Sequence, residues 1–130
     1  MKAGRFQKSL SAGPLLIVTA RASANDATSN ALVGDPVRGK ALYQACAACH
    51  SVDENELGPK HRGVFGRRAG GVADYSYPAA LKASGLTWDR STLDRWLANP
   101  SQLVPGTKMY FKIDDAQRRA DVIAYLEQLK

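Results

Sequence analysis

With 130 residues and 45% hydrophobic content, the chain has the make-up of a globular protein and room for one domain at most. Its two cysteines, Cys46 and Cys49, lie in a single pentapeptide, which excludes a disulfide framework. The formal charge of +6 misrepresents the folded part: residues 1–24 carry Lys2, Arg5, Lys8 and Arg21 and no acid, and without them 14 basic side chains face 12 acidic ones. That balance of +2 implies no nucleic-acid partner.

Residues 1–24 read as a secretory signal peptide. Lys2, Arg5 and Lys8 make a positive start, Leu15-Leu16-Ile17-Val18 centres a short apolar stretch, and Ala22-Ser23-Ala24 is an A-x-A cleavage site before Asn25. The stretch falls short of the roughly 20 residues that span a bilayer. A periplasmic location is the expectation. Pro14 within the run and Arg21 beside the cut point the other way, to an uncleaved tail that would leave the protein membrane-associated. Residues 25–34 are small and polar and read as a linker, so the folded domain is expected over residues 35–130.

Asp35-Pro36 opens the first helix, Asp as N-cap and Pro in the first turn, where its missing N–H is harmless. Leu42 and Tyr43 supply an apolar face, and Gly39 on that face permits close approach by another helix. Next comes Cys46-Ala47-Ala48-Cys49-His50. Two cysteines three apart on a helical turn point their sulfurs to one side, where they can add across the two vinyl groups of a haem. His50 then lies beneath the ring with a nitrogen for iron. The string is the sequence mark of covalent c-type haem attachment. Cys-x-x-Cys also occurs in thioredoxin-like redox sites and as half of a zinc site. No Val/Ile-rich strand precedes Cys46, as the first would need, and outside the pentapeptide only His61 offers a further Cys or His.

Residues 51–58 are polar and turn-like. Residues 58–71 hold five glycines and, with His61, five basic residues, and have no clear period. A loop of that length is unusual in a small domain unless it packs on a large buried ligand. Tyr77-Pro78 starts a short helix ended by Gly85, and Trp88-Asp89 leads into another over residues 90–98, closed by Asn99-Pro100. Residues 103–111 are again loop, with Pro105-Gly106 as a turn. In the last helix Ile113 precedes a cap at Asp114, and Val122, Tyr125, Leu126 and Leu129 follow the i, i+3, i+4, i+7 pattern of one buried face. The fold class is all-α, with about four to five short helices and long loops wrapped around one haem.

In this order of motifs the chain resembles the class I c-type cytochromes, the family of mitochondrial cytochrome c and its compact bacterial relatives. The resemblance covers residues 35–130. It rests on Gly39 and Tyr43, the pentapeptide, Gly58-Pro59, Gly66-Arg67, Tyr75-Ser76-Tyr77, Thr87-Trp88, Asn99-Pro100, Val104-Pro105-Gly106-Thr107-Lys108-Met109 and Asp121-Val122-Ile123-Ala124-Tyr125-Leu126. It implies the cytochrome c fold and one haem c held by thioethers to Cys46 and Cys49, with His50 on its iron. Met109 is the implied second iron ligand. Once Met1 has left with the leader it is the only thioether, and it lies in the matching loop, not on a helix where a methionine is ordinary filler.

Other roles are implied position by position. Pro59 matches the residue whose carbonyl holds the other nitrogen of the haem histidine and so orients the ring. Arg67, Tyr77 and Trp88 match groups that hydrogen-bond or neutralise the propionate side of haem. Gly39, Tyr43, Val122 and Tyr125 match the crossing of first and last helices. Several positions depart from the mitochondrial pattern. Trp96 replaces a tyrosine near the methionine sulfur, Pro78 a hydroxyl residue near a propionate, and Ala45 and Ser101 lysines around the haem edge. His61 replaces an apolar haem contact. It is expected at the haem periphery with its polar edge wet, or as a histidine that titrates with the charge on iron.

Iron held by His and Met on both faces has no open position for a substrate, and this ligand pair raises the reduction potential. The resemblance therefore implies a soluble one-electron carrier, not an enzyme, and a monomer. Its candidate redox partners are a bc1-type complex, a terminal oxidase, a photosynthetic reaction centre or a dehydrogenase. The alternative is a peroxidase-like haem catalyst or ligand binder, which requires Met109 not to be the stable sixth ligand.

Overall fold

The computed structural model describes residue 4, residues 9–14 and residues 31–130. Most of the expected signal peptide, its Ala22-Ser23-Ala24 site included, and residues 25–30 of the expected linker lie outside the described residues.

Helix α1 (Pro36–Leu42) starts where the caps place it: the Asp35 carboxylate accepts from the N–H groups of Val37 and Arg38, and Pro36 takes the first position. It runs directly into a 3₁₀ segment, Tyr43–Ala48. Helix α2 (Ala79–Ala83) follows Pro78 and ends before Gly85, whose φ of 70° only glycine adopts freely. Helix α3 (Arg90–Ala98) begins in a reciprocal cap, with Asp89 accepting from the Thr92 N–H and the Thr92 hydroxyl accepting from the Asp89 N–H. Two details differ from the expected elements. Asn99 ends α3 and caps a further short helix, α4 (Pro100–Leu103), through its side chain to the Gln102 N–H. Helix α5 (Ala116–Gln128) is capped by Asp115 and not Asp114. Ile113 donates its N–H to the Leu97 carbonyl, and Arg119 Nη1 holds the carbonyls of Ile113 and Asp114 at 2.9 and 2.8 Å, which keeps both residues outside the helix.

The frame is the crossing of α1 and α5. A Cβ on Gly39 would lie 1.9 Å from the Asp121 carbonyl oxygen, and one on Gly34 2.0 Å from that of Ala120, so the backbones touch at both glycines. Beside the contact the buried Asp121 carboxylate accepts from the Asp35 N–H at 2.8 Å, Arg38 Nε at 2.9 Å and Gln117 Nε2 at 3.0 Å. Helix α3 packs on α5, with Arg119 to Asp94 at 2.7 Å and a bidentate Arg90–Glu127 pair at the edge. Tyr43, Leu93, Trp96, Leu97, Val122, Ile123 and Leu126 belong to the core.

The long loops are tied down by backbone bonds. His61 and Arg62 donate to the carbonyls of Ser51 and Val52, and Ala69 to that of Leu86. Arg68 and Thr87 form an isolated antiparallel bridge, and no strand occurs among the described residues.

Candidate functional site

The pentapeptide spans the end of the 3₁₀ segment. Three residues per turn bring side chains at i and i+3 into line, which suits Cys46 and Cys49. Both thiols are free, and the Cys46 thiol is pushed up by burial and then by the neighbouring Cys49. The His50 N–H closes back onto the Cys46 carbonyl at 2.9 Å. Among the described residues no group of three or more His, Cys, Asp or Glu side chains gathers as a metal site, so a zinc reading of the two cysteines lacks its completing ligands.

His50 is held at its edge. Its Nδ1 lies 2.8 Å from the Pro59 carbonyl, which as an acceptor requires the proton on Nδ1 and leaves Nε2 free as a donor atom for metal. Burial lowers the pKa of His50 against the raising effect of that carbonyl, and the nearby Arg67 lowers it further. Gly58 makes room for the ring: a Cβ there would sit 2.2 Å from His50 Cε1. The Gly58 N–H, bonded to the Cys49 carbonyl at 2.8 Å, ties this loop to the pentapeptide.

His61 is partly exposed and lines the same cavity as His50. Its ring stacks on that of His50, centroids 4.0 Å apart at 21°, and its Nδ1 meets the buried Tyr43 hydroxyl at 2.9 Å. Its Nδ1 is thus taken by the protein, while the residue as a whole stays partly exposed. Burial, then the proximity of His50 and Arg67, pushes its pKa down to about 3.

The bridge at Thr87 sets Arg67 beside Trp88, whose N–H donates to the Arg67 carbonyl at 2.9 Å. Arg67 donates from Nη2 to the Lys60 carbonyl at 2.8 Å and from Nη1 to that of Arg62 at 3.2 Å. Its Nε is buried and has no partner among the described residues. Tyr77 accepts from the Val72 N–H at 3.2 Å. In the loop after α4, Gly106 takes a φ of 94°, and Thr107 is buried and accepts from the Met109 N–H at 3.3 Å. Met109 is partly buried against the core, and Trp96 lies on Trp88 with ring centroids 5.2 Å apart.

The nine residues given haem roles in the sequence line one cavity of about 570 Å³: Cys46, Cys49, His50, Pro59, Arg67, Tyr77, Trp88, Trp96 and Met109, and His61 lines it too. Its size falls within the roughly 300–1,000 Å³ of cofactor pockets. Val64, Leu81, Leu93, Leu97, Val122 and Leu126 complete an apolar wall, and Leu57, Tyr110 and Phe111 line the cavity from exposed positions. Loop periodicity gives no sign of those last three. The residues fit a haem: apolar walls for the macrocycle, two thiols for its vinyl groups, nitrogen and thioether donors for iron, and an unpartnered guanidinium nitrogen for a carboxylate.

The family model described as cytochrome c matches residues 36–130. Cytochrome c2 of Rhodomicrobium vannielii is 46% identical over 97 residues, covering 72% of this chain and 78% of that protein. Cytochrome c2 of Rhodopila globiformis is 45% identical over 101 residues, covering 75% and 95%. Among solved structures, cytochrome cH from Methylobacterium extorquens superposes with a TM-score of 0.70 at 46% identity, covering 72% of this chain and 98% of that one. Ferricytochrome c2 from Rhodopseudomonas palustris gives 0.69 at 36%, covering 74% and 99%. The chain belongs to the cytochrome c family. It is accordingly an electron carrier whose cofactor is a covalently bound haem c, and Cys46 and Cys49 form the site of attachment.

Proposed function

We propose that the protein carries one electron at a time between redox partners through a haem c attached at Cys46 and Cys49 and ligated by His50 and Met109. The bound group supplies an iron that changes between ferric and ferrous states. The observation that carries this reading is the fixed His50 ring. Its Nδ1–H donates to the Pro59 carbonyl at 2.8 Å, Gly58 leaves it space, and Nε2 remains for iron on a ring lining the same cavity as Met109. Thr107 steadies the Met109 backbone at 3.3 Å. With His50 and Met109 both holding the iron, no position would be left on it for a substrate, so the chain would transfer electrons without performing catalysis. Arg67, with its buried unpartnered Nε, and Tyr77 and Trp88 beside it serve the propionate side, and Trp96 packs near the thioether.

Residues 1–24 act as the export signal, which places the carrier in the periplasm. Among the described residues no helix is long and apolar enough to cross a membrane. There a bc1-type complex, a dehydrogenase, a terminal oxidase or a reaction centre supplies or takes the electron. Two measurements test the reading. Haem should stay with the polypeptide through acid–acetone extraction and be lost from Cys46→Ala/Cys49→Ala. Met109→Ala should abolish the sulfur-to-iron band of the oxidised protein and admit small ligands. Rapid peroxidase turnover by the parent protein would favour the catalytic alternative.

A further inference from the structure

Besides His50, a second imidazole lines the cavity, that of His61. His61 offers no ligand chemistry of its own: its ring lies against His50 at 4.0 Å and 21°, and its Nδ1 is taken by Tyr43 at 2.9 Å. A leucine would fill similar space without a flat face. We propose that His61, held in place by Tyr43, is a positioning residue that fixes the plane of the His50 ring, a role that rests on His50 being the iron ligand.

The Pro59 carbonyl holds His50 at one edge atom and the Gly58 backbone abuts the ring, which sets the tautomer and direction but leaves some rocking about the Pro59 bond. A parallel plate against its face removes that freedom. For the plate to work, it must itself be fixed. Tyr43 does this: its hydroxyl is buried and meets no other polar partner among the described residues, and its ring packs edge-on to His61 at 5.6 Å and to Tyr125 of α5 at 5.1 Å. Burial raises the Tyr43 pKa to about 12, so the hydroxyl keeps its proton and bonds His61 Nδ1 as donor or acceptor according to the tautomer of the imidazole. Either way the bond ties the His61 ring to Tyr43. Two neutral rings stack without the repulsion two imidazolium ions would suffer, and the position of the plate is inherited from the α1–α5 crossing. The orientation of an axial imidazole sets how unpaired spin is distributed over ferric haem, so a loosened ring has a direct signature.

The test uses holo protein with His61→Leu, His61→Phe and Tyr43→Phe, read by the hyperfine-shifted haem methyl resonances and by g-anisotropy in the ferric state. His61→Leu should reorder or compress the methyl shifts and move the potential while the sulfur-to-iron band persists. His61→Phe, which keeps a flat face, should restore most of the parent pattern, and Tyr43→Phe should shift it in the same sense as His61→Leu but less. If His61→Leu does not fold, the comparison of Tyr43→Phe with the parent decides. Parent-like methyl shifts and g values in His61→Leu, or in Tyr43→Phe where that variant decides, overturn the positioning role alone. A parent protein without an imidazole-ligated low-spin signature would overturn the His50 assignment as well.

Discussion

Gly39→Ala tests the helix crossing on which the site is hung. The added Cβ would stand 1.9 Å from the Asp121 carbonyl oxygen, 2.6 Å from its carbon and 2.9 Å from Tyr125 Cβ. Two of those three atoms are backbone, so no side-chain rotation relieves the clash and α1 and α5 must separate. A gap of roughly 0.5–1 Å already forfeits a quarter to a half of each dispersion contact. It also stretches the bonds to Asp121 from Arg38 Nε at 2.9 Å and the Asp35 N–H at 2.8 Å, each of a kind worth about 1.5–3 kcal/mol. Alanine returns only about 1 kcal/mol as the better helix former. A net loss of about 3 kcal/mol follows, at the upper end of overpacking costs. For a domain of this size that is a fall in Tm of about 12–20 °C. Thermal unfolding of oxidised holo protein, followed by circular dichroism at fixed pH, measures it. An unchanged or higher Tm would show that the helices do not meet at backbone distance.

Arg67→Met removes a positive charge and the buried Nε from the cavity, so the ferric state should be favoured and the potential should fall; a potentiometric titration showing no change or a rise would remove Arg67 from the site. Asp121 is held well below the usual carboxylate range, above all by the Arg38 guanidinium. Its contribution is therefore complete above its unfolded value of about 3.9 and lost as pH falls toward the folded one. Asp121→Asn should cost about 2 kcal/mol or more at neutral pH and flatten the acid limb of stability against pH, and an unaltered limb would contradict this. Partner association should weaken only gently with salt. Arg62 is paired with Asp53 and the Lys130 carbonyl, Lys108 Nζ is drawn to the Ser76 carbonyl at 3.3 Å, and Leu57, Tyr110 and Phe111 are exposed and apolar where they line the cavity. A steep decline in association rate between low and physiological ionic strength would reveal a concentrated basic patch.

The cap at Asp35, the start of α3 after Asp89 and the apolar face of α5 were legible because each is encoded within a few residues. The Asp114-Asp115 pair was ambiguous for the same reason: either carboxylate can cap, and the choice falls to Arg119 and Leu97, which hold residues 113 and 114 off the helix. Asn99-Pro100 reads as a stop, yet the same residues start α4, since Pro suits the first turn of a helix as well as the end of the one before. The site was legible further than its loops had a right to be. Arg67, Tyr77 and Met109 carry no periodic signal, and only the order of motifs placed them together. That order could not find the His61–Tyr43 bond. It joins a loop to a helix 18 residues away, and its one local clue is that a buried tyrosine hydroxyl needs a partner. Gly34 likewise reads as linker until α5 is laid against it.

The central claim is that His50 and Met109 both hold iron in a covalently attached haem. The most direct measurement is the optical spectrum of the purified oxidised protein at neutral pH, recorded beside Met109→Ala. A low-spin spectrum with the weak long-wavelength sulfur-to-iron band in the parent, absent from the variant, is the predicted result. A parent without that band, high-spin and open to small ligands, would contradict the account and leave the chain a haem protein of another kind.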